Sequence, residues 1–202
     1  MPIQLIGILG GVASGKSAVA DRLGQLGAVV LDADDVAHEV LRDEDIKRRI
    51  AARFGADVLD EAGEVRRGAL AKIVFADSDA GRQALADLET LMHPAIGQRI
   101  QQKIDAIAHD DPQQVIVLDA AVMMKAGWHK LCDRLIFVEV SPDVRVQRSR
   151  SRGWSDDEVA SREARQTPLA EKRAAADVII DNSGDLAQTY AQVDRFWAKV
   201  RD

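Results

Sequence analysis

Residues 10–23 read GGVASGKSAVADRL and follow at once on the apolar run IQLIGIL. Few local patterns restrict a fold so sharply, because a short buried strand has to stop in a glycine-rich turn and restart as a helix. The fixed positions are Gly10, then after four residues Gly15, Lys16 and Ser17, the spacing of a phosphate-binding loop. Glycines let the backbone approach a polyphosphate and aim successive N–H groups at its oxygens. Lys16 brings a mobile point charge for the β- and γ-phosphates, and Ser17 a hydroxyl for Mg²⁺. The helix that opens there turns the positive end of its dipole toward the anion. A ligand-free strand-to-helix turn needs a glycine or two, but no Lys-Ser pair directly behind them. The amphipathic pattern Val19, Leu23, Leu26 continues the helix. The expectation is a bound nucleoside triphosphate; the loop alone does not say what becomes of it.

At 202 residues and 47% hydrophobic content, the chain can bury one substantial core, with room for inserted subdomains. A net charge of −6 argues against a general nucleic-acid or membrane-surface binder. The lone cysteine, Cys132, lies in an apolar run and reads as packing rather than as a nucleophile. His38, His93, His109 and His129 have no metal-pair spacing, so Mg²⁺ arriving with the nucleotide is the expected metal. The first apolar run has no basic leader or cleavage pattern, and no run approaches the roughly 18 apolar residues of a membrane span. These features predict a soluble, cytoplasmic protein.

Short apolar segments alternate with long helical ones, which predicts an α/β fold around a parallel sheet with helices on both faces. Five strands are expected, at Ile3–Leu9, Ala28–Leu31, Val115–Leu118, Leu135–Val140 and Val178–Ile180. The long gap after the second strand is mostly helix-forming, with DEAGEV (60–65) as a turn inside it, and reads as a helical insertion over about 37–113. Ser141-Pro142, the capping-box spacing Ser155…Glu158 and Thr167-Pro168 mark three short helices over about 141–175, a candidate mobile lid. The remaining segments, about 1–36, 114–140 and 176–202, form the core of what is expected to be a single domain.

Ligands of open α/β sheets bind beyond the carboxyl ends of the strands, so acids there are candidates for chemistry. After the second strand come Asp32, Asp34 and Asp35. In an extended stretch Asp32 and Asp34 would point the same way, and a carboxylate there could accept a proton from an attacking hydroxyl. Helix capping is the competing role, and Asp34 is favoured over Asp32 for chemistry. Asp119, which closes VIVLD, is a candidate Mg²⁺ holder with Ser17. In the lid, Arg145, Arg148 and Arg152 share a helical face by spacing, with Arg148 first and Arg152 next as the contact to the transferred phosphoryl group. His93-Pro94 reads as a structural helix break.

Taken together, GGVASGKS, LDADDVAHEV, LMHPAI, RLIFVEVSPDVRVQRSRSR and EKRAAADVIIDNSG resemble the dephospho-CoA kinase family, in order and over nearly the whole chain. The resemblance implies a phosphate-loop (P-loop NTPase) kinase core with a helical acceptor-binding insertion and a helical lid. The implied reaction moves the γ-phosphoryl group of ATP to the ribose 3′-hydroxyl of dephospho-CoA, with Mg²⁺, to give coenzyme A and ADP. It further implies that Gly11, Val12, Ala13, Ser14, Gly15, Lys16, Ser17 and Ala18 wrap the ATP phosphates. Asp34 would be the base or orienting group, and Arg148 would act from the lid. Arg152 and Asn182 would serve the nucleotide, Asn182 near the adenine, while Asp32, His93 and Asp119 would serve the acceptor. Gln166 and Lys172 match the family's lid pattern. The chain departs from that pattern at Ala13, commonly glycine, and at Ala18, commonly threonine. It departs again at Ala121 and Lys125, where proline and glutamate are usual. The expected partners are the small molecules ATP and dephospho-CoA, with no nucleic acid or membrane, for a monomer or small homo-oligomer.

Three other readings compete. One is a nucleoside-monophosphate-like kinase with another acceptor. A second is a nucleotide-dependent switch, suggested by Asp181–Gly184 but lacking a following N-K-x-D. The third, a binding protein without catalysis, sits poorly with intact Lys16, Ser17 and Asp34.

Overall fold

The computed structural model describes residues 4–201. Five parallel strands form one sheet in the order β2-β3-β1-β4-β5: β1 (Gln4–Gly10), β2 (Val29–Asp32), β3 (Val115–Asp119), β4 (Arg134–Glu139) and β5 (Val178–Asp181). All five lie where the apolar runs predict them, with no end shifted by more than one residue; Ile3 falls outside the described residues. β1, β3 and β4 are buried almost end to end, as expected of strands covered on both faces. One face packs on α1 (Lys16–Gln25) and α9 (Leu186–Arg201) through Ile6, Ile8, Val19, Leu23, Val193 and Phe196. On the β1–β4 side, Gly7 leaves space for Met123, Cys132 and Leu135, whose atoms lie 2.7–2.8 Å from where a Cβ would stand. α1 is tied to α9 by a bidentate pair, with Arg22 Nε and Nη2 donating to the two Asp194 oxygens at 2.7 Å each.

The chain forms two compact units, one running to Asp32 and resuming at Ala106, the other Ala33–Asp105. The second holds α2 (Ala33–Val40), α3 (Glu44–Phe54), α4 (Arg67–Val74) and most of α5 (Asp79–Asp110). DEAGEV is a turn, as expected: Asp60 Oδ1 accepts from the amides of Ala62 and Glu64, and Leu59 bridges to Val65. His93-Pro94 breaks nothing. Pro94 lies inside a continuous 32-residue helix. Proline removes one donor from the ladder, but Met92, Ile96, Ile100 and Ile104 bury a stripe at four-residue spacing that carries the helix through.

The first unit carries α6 (Pro142–Ser151), α7 (Asp156–Ala164) and α8 (Leu169–Ala174) between β4 and β5. Ser155 and Glu158 make the expected reciprocal capping box. Thr167 does not cap α8; Pro168 takes the N-cap position instead. No helix among the described residues is long and apolar enough to cross a membrane.

Candidate active site

The carboxyl edge of the sheet gathers the first unit's site residues. β1 ends at Gly10 and α1 begins at Lys16, so residues 11–15 turn the chain within five positions. Gly15 makes this possible with φ +88°, and a Cβ there would lie 2.2 Å from Asn182 Nδ2. Ala13 also adopts a left-handed backbone, φ +59°, the sole non-glycine to do so among the described residues. A side chain in that region costs roughly 1–2 kcal/mol, so Ala13 stores strain inside the loop. Ala13→Gly is therefore expected to leave the apparent unfolding free energy unchanged or raise it by up to about 1 kcal/mol, because relief of strain offsets glycine's greater unfolded entropy. Thermal unfolding without nucleotide checks this.

The loop's carbonyl oxygens are held from the protein side. Asn182 Nδ2 donates to Ser14 O at 2.8 Å, and its own side-chain oxygen accepts from Thr189 Oγ1 at 2.9 Å. Arg148 Nη1 and Nη2 donate to Ser14 O (3.3 Å) and Asn182 O (2.9 Å). Lys172 Nζ donates to Gly10 O at 3.1 Å and to Gln166 Oε1 at 2.6 Å. Asn182 and Lys172 are each 2% exposed. Burial, and then the neighbouring Lys16 ammonium, bring Lys172 down to about 8, against a weaker opposite pull from Glu163. Ser14 Oγ is buried with no hydrogen-bond partner among the described residues. A buried hydroxyl without a partner is costly, and this one sits in the cradle itself.

The three lid arginines that share a face by spacing have different tasks. Arg148 reaches from α6 to the loop. Arg145 pairs with Glu163 at 2.6 Å and ties α6 to α7. Arg152 lies at the C-terminal cap of α6 with its guanidinium over Trp154, 5.4 Å from the ring centre, and Arg162 lies over the same ring at 4.4 Å. Both are exposed.

Among the acids, Asp32 and Asp119 stand in register at the ends of β2 and β3. Asp32 is exposed and Asp119 half-buried. The premise that Asp32 and Asp34 alternate along an extended chain does not hold, because α2 starts at Ala33 and puts Asp34 and Asp35 in its first turn. There the two carboxylates favour the helix dipole. Asp34 is exposed, and His93 is half-buried in the second unit. Ser17 is exposed in the first turn of α1 with Ala18 next to it. Ala121 and Lys125 lie in the turns after β3, with Lys125 exposed. Cys132 is half-buried, and burial pushes its thiol up to about 12, which suits packing and not nucleophilic chemistry.

The dephospho-CoA kinase family model matches residues 4–188. The chain belongs to that family. A dephospho-CoA kinase of Syntrophotalea carbinolica is 39% identical over 97% of this chain and 92% of its own. That of Aquifex aeolicus is 34% identical over 98% of both. Among solved structures, a Thermus thermophilus protein superposes with a TM-score of 0.80 at 28% identity, covering 98% of both chains. The dephospho-CoA kinase of Campylobacter jejuni shares the fold, with a TM-score of 0.66 at 18% identity. The fold is thus that of a P-loop kinase with insertion and lid helices. Within the family's loop, the Gly10 and Ser14 carbonyls are the atoms that distant lid and C-terminal residues reach. Neither Asn182 below Ser14 nor Lys172 below Gly10 had a local signal for that place, since both contacts join segments more than 160 residues apart.

Proposed function

We infer that this chain catalyses the ATP-dependent phosphorylation of dephospho-CoA to coenzyme A, the reaction of the family to which it belongs. The observation that carries the reading is family membership over nearly the full chain, joined to an intact loop in which Lys16 and Ser17 open α1. The kinase core also sits poorly with a switch or a binding protein, because those readings leave the acceptor-like insertion without a role.

The division of labour follows from the residues. Residues 11–18 receive the triphosphate, with Lys16 meeting the β- and γ-phosphates through a charge-assisted contact. Ser17 and Asp119 offer hard oxygen donors of the kind Mg²⁺ prefers, one or two from the protein beside the phosphates. Ser17 and Asp119 would hold the ion, which would supply charge neutralisation on the phosphates. Asp34 accepts the proton of the ribose 3′-hydroxyl or holds that hydroxyl in line. Arg148 fixes the loop through Ser14 O and Asn182 O and would be the lid arginine that stabilises charge on the transferred group. Arg152 and Asn182 serve the nucleotide, Asn182 through the loop backbone. Asp32 and His93 serve the acceptor. Closure of the lid would keep water from the γ-phosphoryl group.

The test is acceptor-dependent ADP release with Mg·ATP, comparing dephospho-CoA with AMP, CMP and adenosine, with the product identified by mass and position. One phosphate gained on dephospho-CoA alone, at the 3′-oxygen, is the expected result. Turnover with another acceptor and none with dephospho-CoA would overturn the assignment and direct attention to Ala121 and Lys125.

A further inference from the structure

Lys172 belongs to the lid pattern of the resemblance but has no assigned role in the kinase reading, on which this inference rests. It is one of the few charged side chains among the buried residues, on a six-residue helix of the lid. Its ammonium reaches Gly10 O, the last carbonyl of β1 and the first of the loop, and Gln166 Oε1 in the segment before α8. We propose that Lys172 is a positioning residue for phosphoryl transfer: it fastens the start of the phosphate loop to the lid, and its ammonium adds to that of Lys16 in holding the nucleotide's phosphates.

Two neutral oxygens do not explain a buried cation. A neutral donor would satisfy them without the desolvation cost of a charge. The charged groups that face Lys172 also fail to balance it. From α1 comes Lys16, which repels it, and from α7 comes Glu163, whose carboxylate is already paired with Arg145 of α6. From β1 and the Gln166 segment its hydrogen-bond partners are neutral oxygens. An anion in the loop would balance this site, because its charge offsets the repulsion between the two ammonium groups.

The sign of the pH dependence follows. Without nucleotide, Lys172 loses its proton near pH 8. Bound phosphates favour the charged form and raise that value. Below pH 8 the lysine is charged in both states. Between the free and bound values, binding must take up a proton, so affinity falls as pH rises, by up to about tenfold per pH unit.

The experiment is titration calorimetry of the full-length protein with Mg·ATP from pH 7 to 10, in two buffers of different ionisation heat, beside steady-state kinetics. Wild type is expected to take up protons near pH 8 and above, with KM for ATP rising through that range. Lys172→Met is expected to bind about tenfold more weakly at pH 7 with a flat profile above pH 8 and a smaller change in kcat than in KM. Lys172→Arg keeps its charge throughout and is expected to bind better than wild type at pH 9.5. A Met variant that retains wild-type affinity, or that is weaker by one constant factor at every pH, would overturn the proposal. Should the Met variant fail to fold by circular dichroism, a wild-type pH decline in the Arg variant would overturn it instead. Failure of wild type to phosphorylate dephospho-CoA while these binding profiles hold would count against the kinase assignment and leave the role of Lys172 standing.

Discussion

Lys16→Ala is expected to lose both nucleotide affinity and turnover. The ammonium opens α1, on a loop whose carbonyls at Gly10 and Ser14 are already held by Lys172, Arg148 and Asn182. Removing it therefore leaves the cradle's shape largely in place and deletes charge. A positive group aimed at transferring phosphate is worth roughly 10²–10³ in kcat, and a charge-assisted contact to the ground-state phosphates adds to the loss in affinity. The expected outcome is a Kd for Mg·ATP raised at least about tenfold and kcat/KM lowered about 10³-fold or more. Isothermal titration and initial rates give the two numbers separately. Lys16 repels Lys172, so its removal should also raise the pH at which Lys172 loses its proton, which moves the fall in affinity to higher pH. Normal activity in this variant would sink the whole scheme.

The parts of this architecture that were legible in the sequence are those that local chemistry dictates. Gly10, Gly15, Lys16 and Ser17 announce their turn because the loop's geometry is set within eight residues. The strands announce themselves because burial on both faces demands unbroken apolar runs, as in VIVL of β3. Ser155 and Glu158 announce a helix start because both halves of the box lie within one turn. What was not legible depends on neighbours distant in the chain. Asn182 and Lys172 are picked out by the family resemblance alone, and no local pattern gives their contacts, which form only when β5 and α8 come up to the loop. Pro94 misleads in the opposite direction, since a local rule about proline is overridden by the buried stripe from Met92 to Ile104. The shared spacing of Arg145, Arg148 and Arg152 misleads too: a carboxylate and two carbonyls distant in the chain, and for Arg152 the nearby ring of Trp154, separate three residues that helical periodicity groups together.

Asp34→Asn separates the two roles that its position allows. In the first turn of α2 the carboxylate interacts favourably with the helix dipole, an effect of about 0.3–1 kcal/mol at exposed sites. Asparagine keeps the size and loses the charge, so a dipole role alone predicts a small loss of stability and nearly normal kinetics. A role toward the acceptor hydroxyl predicts the reverse, because a neutral amide cannot take its proton. Positioned acid–base groups contribute roughly 10²–10⁴-fold. The expected outcome is therefore a kcat lowered by about 10²-fold or more, with the Kd for Mg·ATP within about twofold of wild type and thermal unfolding almost unchanged. The separation between kcat and Kd is the informative feature, since the proposed ATP site is residues 11–18 and does not include α2. A loss of ATP binding equal to the loss of turnover would make Asp34 a structural residue of the helix start. The hydroxyl would then need another acceptor, and Asp32, which closes β2 two residues earlier in register with Asp119, is the next carboxylate to replace.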